Sequence, residues 1–493
     1  MSLTSDVRQL LGRAGQLYGT DASVTARLQH VQARLEAPLR VAIAGKVKAG
    51  KSTLLNALVG ERLAPTDEGE CTKVVTWYQD GHTYQVMAHP RSEAPSQLRF
   101  RREDNHLEID LGGRDPLTLE RLEVTWPSAS LRAATLIDTP GIGSLSTRVA
   151  EQTTRFLAPE DDVTQADAVL YLMKHLHAND LAFLEAFHDT EVSQPNPVNA
   201  IAVLSRADEI GVGRLDSMGS ANRIANRYKH DPNVRRLAQT VVPMAGLLAE
   251  TATTLTEDEF RMIRTLAGAA AKEIDELLLS ADRFVNSPSH TGLTDLERQH
   301  LLSRFGVFGI RLSTTLARRN AVKTASELSA ELEERSGLND LKSILSSLFV
   351  ARSELLKARS ALLALDDILR MQPVPGADQL SLEVERVMAN AHPFTELRVL
   401  NAVRAGWVTG KPEQLAELER LIGAEGTEPS IRLGLPREAE PMAVLGAAQE
   451  ALLRWQRRAE NPLTRHEMSV ASRVAIRSCE EILANGIATS AGP

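Results

Sequence analysis

Cysteine is nearly absent from this chain: Cys71 and Cys479 are the only thiols in 493 residues. They lie far apart without CxxC or Cys/His spacing, which excludes a disulfide framework and fits a reducing cytoplasm. Aromatics are also scarce at 4%, while Ala and Leu abound, so the composition tilts toward helices. No run approaches the roughly 20 apolar residues that a spanning helix needs. The start, MSLTSDVRQLL, has neither the basic opening nor the apolar core of a signal peptide. The expectation is a soluble, cytoplasmic protein that can at most lie on a bilayer. Nor is there an excess of positive charge: 56 Lys and Arg against 64 Asp and Glu leave a net charge of -8, which argues against coating a polyanion. No nucleic-acid partner is expected, and any membrane contact must be local.

What the chain does have is apolar content, 43% against 24% charged, enough for a large core and about three domains' worth of length. Apolar positions from Asp6 to Glu36 follow a helical spacing interrupted near Gly19 to Asp21. Short apolar runs then recur at Leu39–Ala44, Ala133–Asp138, Ala168–Met173, Ala200–Ser205 and Thr240–Ala245, mostly separated by helical patterns. This predicts an α/β fold with a mostly parallel sheet covered on both faces. Between the first two runs the texture changes. Residues 73–89 read as a hairpin about Asp80-Gly81, and residues 98–111 as another about Asp104-Asn105, giving an antiparallel edge. Beyond residue 250 the patterns are helical. An unbroken heptad from Leu341 to Leu369 predicts a rod of about 45 Å. The expected division is an N-terminal helical segment, 1–36, packing with the bundle; an α/β unit, 37–335; and an elongated helical stalk, 336–493, with its distal tip near 371–411.

The strongest motif follows the first run directly. Residues 45–52, GKVKAGKS, fit GxxxxGK[ST] and lead into a helical pattern. Glycines let such a loop fold round an anion with its N–H groups inward, and the next helix adds its positive end. Gly45, Lys46, Ala49, Gly50, Lys51, Ser52 and Thr53 are the candidate phosphate cradle. Lys51 can reach the β and γ phosphates, and the Ser52 hydroxyl can ligate Mg²⁺. Asp138 stands 87 residues past Lys51, at the end of the second run in Asp138-Thr139-Pro140-Gly141. It can hold Mg²⁺ through water, with the Gly141 N–H facing the γ-phosphate. In the loop 65–73, Thr72 is the candidate for closing over Mg²⁺, with Thr66 the weaker choice.

The base is chosen further on. Ser205-Arg206-Ala207-Asp208 ends the fourth run, where the Asp208 carboxylate can accept from the N1 and N2 donors of guanine; adenine has no matching pair. At the end of the fifth run, a backbone N–H at Ala245-Gly246 can meet the guanine O6. Guanine is therefore favoured over adenine. Arg206 stands where Lys is usual, and its stem can cover the base.

Taken together, GKVKAGKSTLLNALVG, ECTKVV, LIDTPG, LSRADE and VVPMAG, followed by a long helical region, resemble the bacterial dynamin-like GTPases. Within them the chain looks most like the actinobacterial, isoniazid-inducible subgroup. The resemblance implies GTP hydrolysis with Mg²⁺, pairing of GTPase domains in a homodimer or with a paralogue, a hinged helical stalk, and remodelling or fusion at the inner face of the plasma membrane. The alternative is a GTP-regulated switch or assembly protein with a protein or RNA partner. No glutamine follows Gly141, where Ile142 stands, so a Ras-like glutamine cannot orient the water from there. Relatives of this class stabilise the transition state from the P-loop itself, and Lys48 occupies the position of a cis-acting arginine finger in guanylate-binding proteins. The catalytic set expected is Lys48, Lys51, Ser52, Thr72 and Gly141.

Two apolar clusters remain. Met371, Val374, Phe394, Trp407 and Val408, near Arg398, Arg404 and Lys411, form either an interfacial wedge on anionic lipid or a plug for the bundle. Leu301, Phe305, Phe308, Ile310 and Leu312 are expected to pack internally.

Overall fold

A computed structural model describes residues 3–65, 74–103, 106–141, 165–176, 180–181, 184, 199–211, 213–404 and 406–490. Its principal sheet is built from β1 (Leu39–Gly45), β2 (Thr76–Gln79), β3 (Gln85–Pro90), β4 (Ser96–Gln97), β7 (Leu119–Thr125), β8 (Ala134–Asp138), β9 (Ala168–Met173), β10 (Ala200–Ser205) and β11 (Val241–Met244). The order across the sheet is β11-β10-β9-β1-β8-β2-β7-β3-β4. Strand β1 lies at the centre, parallel to β8 with Leu39 opposite Ala134, and parallel to β9 with Val41 opposite Ala168. β10 continues in parallel between β9 and β11. β9 and β10 are buried along their whole length, which is why these strands read as continuous apolar runs. The fold is thus α/β, a mostly parallel sheet with an antiparallel margin, joined to a large set of helices.

The first expected hairpin is not there. β2 pairs with β8 and β7, and β3 pairs with the other side of β7, so β7 separates the two strands that flank Asp80-Gly81. The reason is a non-local partner with a better apolar face: Leu122 and Val124 of β7 are fully buried between them. The turn residues serve that arrangement. Asp80 accepts the Ser128 N–H at 2.9 Å, and Gly81 lies so close to β7 that a Cβ there would meet the Thr125 methyl at 2.2 Å. The second hairpin does form, from β5 (Arg99–Glu103) and β6 (His106–Asp110).

The N-terminal segment is two helices, Leu3–Leu17 and Ala22–Glu36, the second capped by Asp21. Both pack on the long helix Ser353–Met371. The Tyr18 hydroxyl donates to the Gln372 carbonyl at 2.6 Å, Arg27 pairs with Asp367 at 3.3 Å, and Lys357 donates to the Ala37 carbonyl at 3.2 Å. Their core is continuous with one face of the sheet.

The predicted rod is interrupted. Helix Leu338–Leu348 ends at Phe349, a single 3-10 turn spans Val350–Arg352, and Ser353 starts the next helix. Two long-range anchors break the heptad: Phe349 is fully buried, and the buried Arg352 donates to the Gly423 carbonyl. The stretch placed at a distal tip also differs from expectation. Helix His392–Arg404 lies against helix Pro232–Leu237 of the α/β unit, and Arg235 pairs with Glu419. Phe394, Val408 and Arg404 are buried, while Met371 and Trp407 are half exposed. Leu301, Phe305, Phe308 and Ile310 are buried within helix Asp295–Arg318, and Arg304 pairs with the buried Glu259 at 2.6 Å. The chain closes with helices Pro441–Glu460 and His466–Ser490, packed along each other.

Candidate nucleotide-binding site

The loop after β1 turns through three residues of positive φ: Gly45 at 151°, Lys48 at 61° and Gly50 at 94°. Alternation of such residues with right-handed ones makes a concave nest of backbone amides suited to anions. Gly45 is required by space as well as by φ, because a Cβ would come 2.5 Å from the Leu172 carbonyl oxygen of β9. Gly50 caps helix Lys51–Val59, whose N-terminus completes the cradle. The Ala49 N–H closes the loop on the Lys46 carbonyl at 3.1 Å.

Lys51 is buried, its Nζ donating to the carbonyls of Gly45 and Lys46 at 3.3 Å each. Burial pushes its pKa down, and the nearby Asp138 pulls in the opposite direction. An ammonium held at that disadvantage gains when an anion arrives. Ser52 donates from Oγ to Asp138 Oδ2 at 2.6 Å. The Asp138 carboxyl is buried and pushed up in pKa by desolvation, against the pull of Lys51 and Ser52, and its Oδ1 is buried without a hydrogen-bond partner. A hydroxyl and a carboxylate with an orphaned oxygen, beside a phosphate cradle, fit a hard, oxygen-seeking divalent cation. Ser52 and Asp138 would hold Mg²⁺; Thr72 lies outside the described residues.

The adjoining segments press on this loop. Thr139 anchors to the Ile43 carbonyl through both N–H, 3.3 Å, and Oγ1, 2.9 Å. Gly141 lies against Val47, where a Cβ would approach Cγ2 to 2.6 Å and Cα to 2.8 Å. Arg206, at φ 53°, reaches back to donate from Nη2 to the Lys48 carbonyl at 2.7 Å and from Nη1 to Glu209 at 2.6 Å. Asp208 follows within the single turn Ala207–Glu209. Burial raises its carboxyl pKa, opposed by its own backbone N–H and by Arg206. Thr53 lies on the side of the helix facing Gly246. The Ala245 N–H corrects an expectation: it donates to the Ser336 carbonyl at 2.9 Å, so it is spent within the fold and not offered to a base. Gly246, the first residue of the next helix, is the neighbouring donor.

One participant carries no sequence signal. Lys46 extends its Nζ to Oδ2 of Asp180 at 3.0 Å, and the fully buried Asp180 accepts the Tyr171 hydroxyl on Oδ1 at 2.8 Å. Asp180 stands in no recognisable motif and is brought to the cradle only by the tertiary fold.

Sheet order, cradle after the central strand and acidic residue at the end of β8 define a P-loop domain of the GTPase type. The chain belongs to the dynamin family, in its bacterial, isoniazid-induced branch. The pattern described as "Dynamin family" matches residues 41–205. The isoniazid-induced protein IniC of Mycobacterium tuberculosis is 41% identical over 98% of this chain and 99% of its own length. The bacterial dynamin-like protein of Nostoc punctiforme is 32% identical over 120 residues, 22% of this chain and 17% of that one. A solved chain from an oligomerised bacterial dynamin pair, described as a mechanism for long-range sensing and tethering of membranes, aligns over 99% of this chain and 75% of its own with 13% identity and a TM-score of 0.33.

Proposed function

We propose that this protein hydrolyses GTP to GDP and phosphate and couples the pairing of its GTPase domains, with a second copy or a paralogue, to remodelling or fusion of the cytoplasmic membrane from its inner face. The observation that carries the nucleotide part is the Arg206–Lys48 hydrogen bond at 2.7 Å. It ties the guanine-recognition loop to the phosphate cradle, so that one nucleotide can engage both. In this reading Lys51 meets the β and γ phosphates, Gly141 offers its N–H to the γ-phosphate, and Asp208 receives the guanine donors. Ser52, Thr72 and Asp138 hold Mg²⁺, which when bound neutralises charge on the phosphate oxygens. Lys48 adds positive charge at the β–γ bridge once two domains meet.

The membrane part is supported by family membership. No helix among the described residues is long and apolar enough to cross a bilayer, so contact would be peripheral. Phosphate release from GTP and from ATP, each with and without anionic liposomes, tests the whole. GTP-selective turnover accelerated by liposomes is expected. GTP-selective turnover indifferent to them would favour a switch with a protein or RNA partner, and ATP turnover at an equal rate would sink the assignment.

A further inference from the structure

The turn between the last two helices carries a cleft that the nucleotide site does not use. It is an open groove of about 660 Å³ whose lining includes Lys411, Arg457, Arg458 and Arg465 and no carboxylate. None of these four cations forms an ion pair among the described residues, although the chain as a whole has a net charge of -8. Glu417, the acid whose charge acts on Arg458, is already engaged, accepting from Arg454 at 3.0 Å. Arg458 stacks its guanidinium 4.1 Å from the Trp455 ring centre, and its Nη1 is buried with no hydrogen-bond partner. Arg465 is oriented by a neutral group, the Thr409 hydroxyl at 2.9 Å. Like charges gathered along one groove repel, and an anion seated among them reverses the sign of that energy.

One exposed apolar side chain, Leu463, lines the same cleft, and a second, Trp407, precedes its lining residues Thr409 to Lys411 in the chain. Leu463, at the apex of the turn, is 89% exposed, and Trp407, two residues before Thr409, is 52% exposed. The turn is braced: the Leu463 N–H donates to Asn461 Oδ1 at 2.9 Å and the Thr464 hydroxyl to the Arg458 carbonyl at 2.8 Å. Leu463 is therefore presented by a structured turn. At Trp407 the neighbouring Val408 takes the inward position, which leaves the indole outside.

We propose that this cleft binds the phosphate-bearing headgroups of an anionic lipid surface while Leu463 and Trp407 enter the interfacial layer. The inference rests on the membrane reading above and names its contact. A free phosphate would account for the cations and leave the exposed apolar side chains unexplained; a bilayer accounts for both. The site lies on the hairpin Pro441–Ser490 and the loop before Pro412, and leaves out Phe394, which is buried.

The full chain is mixed with vesicles of phosphatidylcholine alone or with phosphatidylglycerol, and co-sedimentation is read beside tryptophan quenching by brominated lipid. The other three tryptophans, Trp77, Trp126 and Trp455, are buried, so quenching reports on Trp407. The wild type is expected to bind the anionic vesicles and to be quenched. Lys411→Glu with Arg457→Glu is expected to weaken binding by at least roughly 25-fold, from the worth of two basic residues near such a surface. Trp407→Phe should abolish the quenching, and Leu463→Ser should lower binding further. The substituted residues are mostly exposed, and vesicle-free GTP turnover with the thermal midpoint serves as the folding check. If the wild type binds and the charge variant binds equally without Trp407 quenching, this site is overturned and the membrane reading stands. If the wild type binds no vesicle, both fall; equal binding to neutral vesicles overturns the headgroup assignment.

Discussion

Arg206 hands a hydrogen bond to the backbone carbonyl of Lys48 across 2.7 Å, and both residues hold positive φ, 53° and 61°. Left-handed conformations cost a non-glycine residue about 1 kcal/mol each. The bond therefore joins two locally unfavourable backbones, one leading into the turn Ala207–Glu209 and one from the loop after β1. A charged hydrogen bond of this kind contributes about 1.5–3 kcal/mol, and partial exposure of Arg206 places it at the lower end. Arg206→Ala is expected to weaken GTP and GDP binding about tenfold, and Arg206→Lys less, since an ammonium can still reach one carbonyl. Titration with a fluorescent guanine nucleotide checks this; unchanged affinity in the alanine variant would show that the tether is irrelevant.

Asp208 gives a pH dependence with a definite sign. Burial raises its carboxyl above the ordinary range, and guanine needs the ionised form as acceptor. Acidification should therefore protonate Asp208, and release GTP, at a higher pH than an ordinary surface carboxylate would. Asp208→Asn should lose GTP affinity by about two orders of magnitude, from two charged hydrogen bonds, and flatten that pH profile. Its amide would instead suit xanthine, which carries a carbonyl in place of the 2-amino donor. Competition among GTP, XTP and ATP across pH reads both effects. An asparagine variant with an undiminished preference for GTP would remove Asp208 from base recognition.

How legible each of these features is in the amino-acid sequence follows from how local it is. The cradle, Asp138 and the Arg206–Asp208 turn are short motifs at strand ends, and β9 and β10 are apolar throughout because both faces are covered. Where sequence reading failed, a partner far along the chain decided. β7 took the place beside β2 that the Asp80-Gly81 pattern assigned to β3. Gly423 drew Arg352 out of the heptad, and Ser336 took the Ala245 N–H. Asp180 had no pattern at all, and only the fold gives it Lys46 and Tyr171.

The Ser52–Asp138 contact at 2.6 Å, with Asp138 Oδ1 left unpartnered, leads to opposite effects on stability and on turnover. A buried carboxyl whose folded pKa is raised destabilises the fold above that pKa, because the charged form is disfavoured. Asp138→Asn should therefore hold or raise the melting temperature without ligand. With Mg²⁺ and GTP present, its turnover should fall by about 100-fold or more, about 3 kcal/mol of lost charge stabilisation. Chelation of Mg²⁺ should bring the wild type down toward the variant. A variant that melts lower without ligand and still responds to Mg²⁺ would contradict the role.

Gly45 and Gly141 separate fold from function. A methyl at Gly45 meets the Leu172 carbonyl oxygen, backbone against backbone inside the sheet, at 2.5 Å. Gly45→Ala should therefore destabilise the protein by about 2 kcal/mol or more. A methyl at Gly141 meets Val47 at Cγ2, 2.6 Å, and at its backbone Cα, 2.8 Å, so the loop itself, where Val47 is exposed, must move. Gly141→Ala should leave the melting temperature within a few degrees, the range of a sub-kcal/mol change, while lowering turnover as the loop is displaced. Differential scanning fluorimetry and phosphate release on the two variants distinguish these outcomes; a large loss of stability at Gly141 would show that the loop is part of the fold's framework.

The role proposed for Lys48 depends on a second molecule. Lys48 has a φ of 61°, its side chain is exposed, and its carbonyl is held by Arg206. If it supplies positive charge at the β–γ bridge when two GTPase domains close together, specific activity should rise with protein concentration. Lys48→Ala should then lose most of that rise while keeping the low-concentration rate within about twofold. A lysine that only strengthens phosphate binding predicts the reverse pattern: a higher KM at every concentration with the concentration-dependent rise intact. With the lysine providing the cation in that case, replacing potassium by sodium should change the stimulated rate little in the wild type and more in Lys48→Ala. Initial rates of phosphate release over a range of protein concentrations, in each salt, decide between the two.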